Sequence, residues 1–148
     1  MKGVTLIELL LSFFIVAVVA GILASAFGAF RESNDLRVAQ NTIVSIIKDA
    51  RGRAIASENN SVYGVHFETA KSILFKGAAY NASDPANETY TLPPSIQISS
   101  INLAGGASEA VFLQLQGTTT SFGTVTLASK SDSSKTRVIT ISQTGLAQ

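Results

Sequence analysis

The side chains that could do chemistry in this sequence are few and scattered. There is one histidine, His66, and no cysteine among 148 residues. A thiol nucleophile, a disulfide framework, a Cys-based zinc or iron–sulfur site and a multi-histidine metal site are therefore excluded. A nucleophilic triad needs a histidine with an identified partner. His66 sits in Tyr63-Gly64-Val65-His66-Phe67, out of phase with the alternating Tyr63, Val65 and Phe67, and is expected to point to solvent in a structural role. The ten carboxylates form no constellation for acid–base work. Gly105-Gly106 lacks the strand–Gly-x-Gly-x-x-Gly–helix setting of a phosphate loop and reads as a turn. No catalytic residue, cofactor or metal is assigned, and the chain reads as a non-enzyme.

Charge narrows the field further. Eleven Lys and Arg against ten Asp and Glu leave a net charge of +1, which argues against a surface built for nucleic acid. Lys48, Arg51 and Arg53 form the one basic cluster. On a helix, Arg51 and Arg53 flank opposite sides of the apolar stripe and Lys48 lies beyond Arg51, so the expectation is a solvated face rather than a phosphate patch. Three Asn-x-Ser/Thr triplets, at Asn59, Asn81 and Asn87, fall in expected loops and are read as incidental. The charge that calls for an explanation is Glu8, which stands where an apolar segment begins. A carboxylate near hydrocarbon costs up to about a few kcal/mol depending on depth, so it needs a partner or a task.

That segment, Leu9 to Phe30, is 22 residues without a charge. As a helix it is about 33 Å long, enough to cross a hydrocarbon core of about 30 Å. Beyond Arg31 the pattern becomes amphipathic: Leu36, Ala39, Ile43, Ile46, Ile47, Ala50 and Ala54 recur every three or four residues and define one buried stripe. The first proline is Pro85 and the first breaker cluster is Ser57-Glu58-Asn59-Asn60, so one helix of roughly 80 Å is expected from about Val4 to Ser57. Then the period falls to two. A hairpin is expected from Tyr63 to Phe67 and Lys71 to Lys76, with Glu68-Thr69-Ala70 as its turn, and Ile73 and Phe75 share one face. Residues 77–94 read as a surface loop. Further strands are expected at Ser95–Leu103, Glu109–Gln116, Gly123–Ala128 and Thr136–Ser142. The fold class is α+β: a long N-terminal membrane-spanning helix whose amphipathic half packs on an antiparallel β-sheet.

The N-terminus carries a more specific signal. Lys2-Gly3-Val4-Thr5-Leu6-Ile7-Glu8, followed by the apolar helix, resembles the class III signal of type IV pilins and type II secretion pseudopilins. The resemblance implies that a membrane-embedded prepilin peptidase cuts between Gly3 and Val4 and N-methylates Val4. It further implies that Thr5 and Glu8 serve assembly, Glu8 pairing with the terminal amine of a neighbouring subunit. A carboxylate and an ammonium brought together in a low-dielectric helix bundle relieve each other's desolvation penalty. Val4 stands where phenylalanine is usual in the family, and the chain lacks the helix proline and C-terminal Cys pair of many major pilins, which points to a minor pilin or pseudopilin. Ala50-Arg51-Gly52-Arg53-Ala54-Ile55, the Tyr63–Phe67 strand and the closing Ser142-Gln143-Thr144-Gly145 resemble the H-type minor pseudopilins and T-type minor fimbrial pilins. The arginines near the C-terminus that DNA-binding T-type pilins share are missing from Thr144-Gly145-Leu146-Ala147-Gln148.

The implied organisation is a leader at 1–3, a transmembrane half-helix at 4–30, an amphipathic half at 31–57 and a β-rich domain at 58–148. The implied protein is a structural subunit of a type IV pilus, type II secretion or competence filament. It would sit in the inner membrane with its C-terminal domain outside the cytoplasm and then enter the filament, its partners being prepilin peptidase, other subunits and the membrane. One competing reading is a secretory signal cut after Ala24-Ser25-Ala26, releasing a β-rich binding module that begins at Phe27. Another is a signal-anchored enzyme, which the absence of a catalytic constellation disfavours.

Overall fold

The computed structural model describes residues 4–148, except for the side chains of residues 25, 26 and 29. The chain divides between Asn34 and Asp35 into two compact units, and one helix, α1 (Leu6–Ile55), supplies residues to both.

In the first unit, Leu6–Ala24 has a mean hydropathy of 2.8 and none of it is buried. It is the one stretch among the described residues long and apolar enough to cross a membrane. Leu6 is 79% exposed and Phe27 77%. Water is a poor solvent for such a surface, and burial in hydrocarbon or protein recovers about 25 cal/mol per Å² of it.

In the second unit the helix has a partner of its own. Leu36, Ala39, Ile43, Ile46, Ile47, Ala50 and Ala54, the stripe expected from the sequence, are all buried. Three of the seven are alanines, which lets β-structure approach the helix axis closely, while the isoleucines fill the gaps between. The helix ends where Ser57 turns left-handed at φ 54°. The Ala54 carbonyl at the helix end accepts two bonds, from the Ser57 N–H at 3.1 Å and from the Leu115 N–H at 2.9 Å, the second tying the turn after β5 to the helix.

The strands are β1 (Tyr63–Glu68), β2 (Lys71–Lys76), β3 (Glu88–Thr91), β4 (Ile96–Leu103), β5 (Glu109–Phe112), β6 (Gly123–Ser129) and β7 (Thr136–Ile141). They form two antiparallel sheets, ordered β3-β2-β1-β5 and β4-β6-β7, where one had been expected. Pro93 and Pro94, which cannot donate ladder bonds, come one residue after β3 and separate it from β4. A bulge between Ile98 and Ser100 bends β4 further. β5 stops at Phe112 rather than Gln116, because the chain turns there: Leu113 N–H donates to Thr118 and Gly117 N–H to Leu113.

Residues 77–94 are also not all surface loop. Thr89-Tyr90-Thr91-Leu92 is a short run of good strand formers, and β3 pairs with β2 while Leu92 is buried. Both faces of the first sheet are covered in consequence. Tyr63, Val65, Phe67 and Leu74 join the helix-side core, whereas Ile73 and Phe75 are buried outside that cluster, with Tyr80 edge-on to Phe75 at 5.7 Å between ring centroids. Gly64 lies opposite Phe75 in the ladder, and a Cβ there would meet the Phe75 ring at 2.6 Å.

Replacing Ile47, which is fully buried, by alanine is expected to destabilise the second unit by about 2–5 kcal/mol, measured as a shift of its urea midpoint in detergent-solubilised full-length protein.

Candidate functional site

The residues singled out at the N-terminus fall in and beside the first turn of α1. Gly3 lies outside the described residues. Val4 is 73% exposed and precedes the helix. Thr5 is the N-cap: its Oγ1 accepts the Glu8 N–H at 3.3 Å, and its carbonyl accepts the Leu9 N–H at 3.2 Å. Thr5-Leu6-Ile7-Glu8 is thus a T-x-x-E sequence of the capping-box kind, and the three-residue spacing from Thr5 to Glu8 is the sequence signal of that role. Ser12 Oγ donates to the Glu8 carbonyl at 2.8 Å, holding the next turn. The Glu8 side chain is exposed, and no cation pairs with it among the described residues. Its place in the first turn lets the positive end of the helix dipole offset part of its charge. The cap therefore fixes a carboxylate at the head of an apolar helix and leaves it open to a partner.

The basic cluster on the second unit is not the solvated face expected. Arg53 grips two carboxylates, with Nη2 at 2.9 Å from Asp49 Oδ2 and Nη1 at 2.6 Å from Glu88 Oε1. Tyr90 completes the group by donating its hydroxyl to Glu88 Oε2 at 2.9 Å. Arg53 and then Tyr90, by hydrogen bonding, hold the Glu88 carboxyl below the usual carboxylate range against the opposing effect of burial. The bond to Glu88, reinforced by burial, raises the Tyr90 hydroxyl. This group fastens β3 to the helix. Arg51 Nε donates to the carbonyls of Gly117 at 3.2 Å and Thr144 at 3.1 Å, tying the β5–β6 connection and the C-terminal turn to the helix end. Lys48 alone of the three stands exposed without an ion-pair partner among the described residues. Nothing in the sequence links Arg53 to Glu88 or Tyr90, because the segment carrying them read as a loop.

His66 is also placed differently from the expectation. Only 18% of its side chain is exposed, and its ring stacks on Tyr80 at 4.1 Å with 12° between the planes. Its Nδ1 lies 3.5 Å from Glu109 Oε2, the oxygen that accepts the Tyr80 backbone N–H at 3.3 Å. Alternation did place His66 on the face opposite Tyr63, Val65 and Phe67. That face is covered by residues 77–87 folding back, which no periodicity signals.

No protein-family model and no curated protein matches the sequence. The fold does match solved structures. The chain is similar to the type IV minor pilin FimU of Pseudomonas aeruginosa strain PAO1, with a TM-score of 0.58 at 15% identity, covering 76% of this chain and 90% of that one. It is equally similar to the minor pseudopilin EpsH from the type 2 secretion system of Vibrio cholerae, with a TM-score of 0.58 at 15% identity and coverage of 77% and 94%. The α+β architecture expected from the sequence is therefore the observed one, and it is a pilin-like fold.

Glu88 gains its partners only on folding, and its carboxyl is held low. The stability it adds is accordingly complete above the unfolded carboxylate pKa and lost as pH falls through the folded one. Glu88→Gln is expected to lower the unfolding temperature at neutral pH, with the gap from the parent closing as the solution is acidified, as followed by circular dichroism across a pH series.

Proposed function

We propose that this chain is a minor pilin or pseudopilin, a non-enzymatic structural subunit of a filament of the type IV pilus, type II secretion or competence kind. The observation that carries this reading is the pairing of a pilin-like fold with a Thr5-capped apolar helix that presents Glu8 at its head. In this reading residues 1–3 are a leader, prepilin peptidase cuts between Gly3 and Val4 and methylates the Val4 amine, and residues 4–30 hold the subunit in the inner membrane with the β-rich domain outside the cytoplasm.

The energetics of assembly follow from what the helix presents. In lipid there is no hydrophobic drive for helix to meet helix, because tails and leucines are equally apolar. Association must come from close packing and from polar pairs. Ala17, Gly21, Ala24 and Gly28 recur at intervals of three and four, allowing neighbouring backbones to approach. The Glu8 carboxylate is the polar group, and the methylated amine of the adjacent subunit is its counterion. Each charge alone in the bundle is costly, so a register that brings them together is favoured over one that does not. The subunit thereby exchanges lipid contacts for protein contacts in a defined position.

Glu8→Ala is expected to leave membrane insertion and leader removal intact while the subunit disappears from sheared filaments, read by immunoblotting of membrane and filament fractions. Incorporation of Glu8→Ala at the parent level would contradict the assigned role.

A further inference from the structure

We propose that the β6–β7 hairpin, through Lys130 and Arg137, docks on an anionic membrane surface while the chain is anchored in the bilayer. The proposal rests on the reading of the apolar stretch Leu6–Ala24 as a membrane span. It adds a lipid contact made by the β-rich unit itself, separate from leader removal and from Glu8.

Hydrogen bonds fix where the hairpin stands in its unit. Asp35 Oδ2 accepts the Ser95 hydroxyl at 2.7 Å, and the Ser95 carbonyl accepts the Lys130 N–H at 2.9 Å. At the other end of the same sheet, Arg51 donates to the Thr144 carbonyl. Asp35 to Arg51 is about 24 Å of helix, and Thr136 to Thr144 is about 26 Å of extended chain. The second sheet therefore runs alongside the helix, with the β6–β7 hairpin at the Asp35 end. Asp35 is also where the chain enters this unit. The uncharged segment ends at Phe30, and the chain from there to Asp35 reaches at most about 18 Å in any conformation. Connectivity alone thus tethers the hairpin end of the unit close to the lipid headgroups.

Charge is concentrated at that end. Residues 130–137 carry Lys130, Lys135 and Arg137 against Asp132, and residues 31–37 carry Arg31 and Arg37 against Glu32 and Asp35. These stretches together hold five cations and three carboxylates, whereas residues 38–129 hold five cations and six carboxylates. The positive excess of the chain therefore lies at the tethered end. Asp132 is held inside its turn, where it accepts the Ser134 N–H at 3.1 Å and hydroxyl at 2.6 Å and stands 3.8 Å from Lys135 Nζ. Lys130 and Arg137 are exposed, and neither has an ion-pair partner among the described residues. An anionic surface favours each nearby lysine or arginine by about fivefold, and the attraction fades within about 8–10 Å. It acts on cations that a short tether keeps near the surface, which is the position of these two. A docked hairpin holds the β-rich unit against the bilayer, and entry into an assembly breaks that contact.

The test uses full-length protein in lipid nanodiscs. The chain has no cysteine, so Ser133→Cys at the hairpin and Gln116→Cys beside the helix C-terminus, both exposed positions, each carry one fluorophore. The discs contain either phosphatidylcholine alone or equal parts of phosphatidylcholine and phosphatidylglycerol, with a headgroup spin-labelled lipid as quencher. The Ser133→Cys label is expected to be quenched about twofold or more strongly in the anionic discs than in the neutral ones. That difference should vanish at high salt and in Lys130→Glu or Arg137→Glu, and should persist in Lys130→Arg, while the Gln116→Cys label responds equally to both discs. Equal quenching at Ser133→Cys in the two discs, or a lipid preference that Lys130→Glu leaves unchanged, overturns the proposal while leaving the span intact. Failure of the protein to co-elute with either kind of disc overturns the span, and the proposal with it.

Discussion

One stripe of seven side chains on α1 organises everything from Asp35 onward. Leu36, Ala39, Ile43, Ile46, Ile47, Ala50 and Ala54 must leave water, and the two sheets are the surface they leave it for. An isolated helix gains little from hydrogen bonding alone, so most of its stability in this unit has to come from that burial. The sheets depend on it in return, since neither four strands nor three hold a core of their own without a cover. The ties that reach the helix from elsewhere then act as fasteners at its margins: Arg53 to Glu88, Arg51 to the carbonyls of Gly117 and Thr144, and Ser95 Oγ to Asp35 Oδ2 at 2.7 Å.

The apolar part of α1 from Leu6 to Ala24 obeys the same constraint with a different solvent. It has no protein cover within its own unit, and its composition is that of a membrane span. A carboxylate at its head is affordable for a reason visible in the first turn, where the Thr5 cap and the helix dipole steady the N-terminus. Those local effects explain why Glu8 is tolerated. They do not explain why a carboxylate is present at all; the proposed pairing with a partner amine in an assembled bundle supplies a reason.

How far the sequence could be read depended on whether the governing interaction was local. The helix and its stripe were legible residue by residue, because a 3.6-residue period is a property of neighbours in the chain. The hairpin of β1 and β2 was legible for the same reason, with its limits at Tyr63 and Lys76. What escaped was non-local. β3 hid in a segment rich in turn formers, since four strand-forming residues cannot outweigh the composition around them. The division into two sheets rests on Pro93-Pro94 and on the turn after Phe112, whose consequences appear only when strands find partners. Alternation puts His66 on the face it occupies, but the aromatic that covers it comes from Tyr80, and Arg53 reads as solvated because Glu88 lies 35 residues away. At the N-terminus the resemblance in Gly3 to Glu8 is readable directly, whereas the bond from the Glu8 N–H to Thr5 Oγ1 depends on side-chain geometry that residue types alone do not fix.

The central claim is that this chain becomes a filament subunit by losing its first three residues. Intact-mass and N-terminal analysis of the protein extracted from membranes, with and without a prepilin peptidase in the cell, tests it most directly. The account predicts a membrane-bound chain that begins at Val4 and is about 14 Da heavier than its sequence, one added methylene, only when the peptidase is present. A soluble chain beginning at Phe27, formed regardless of the peptidase, would contradict it.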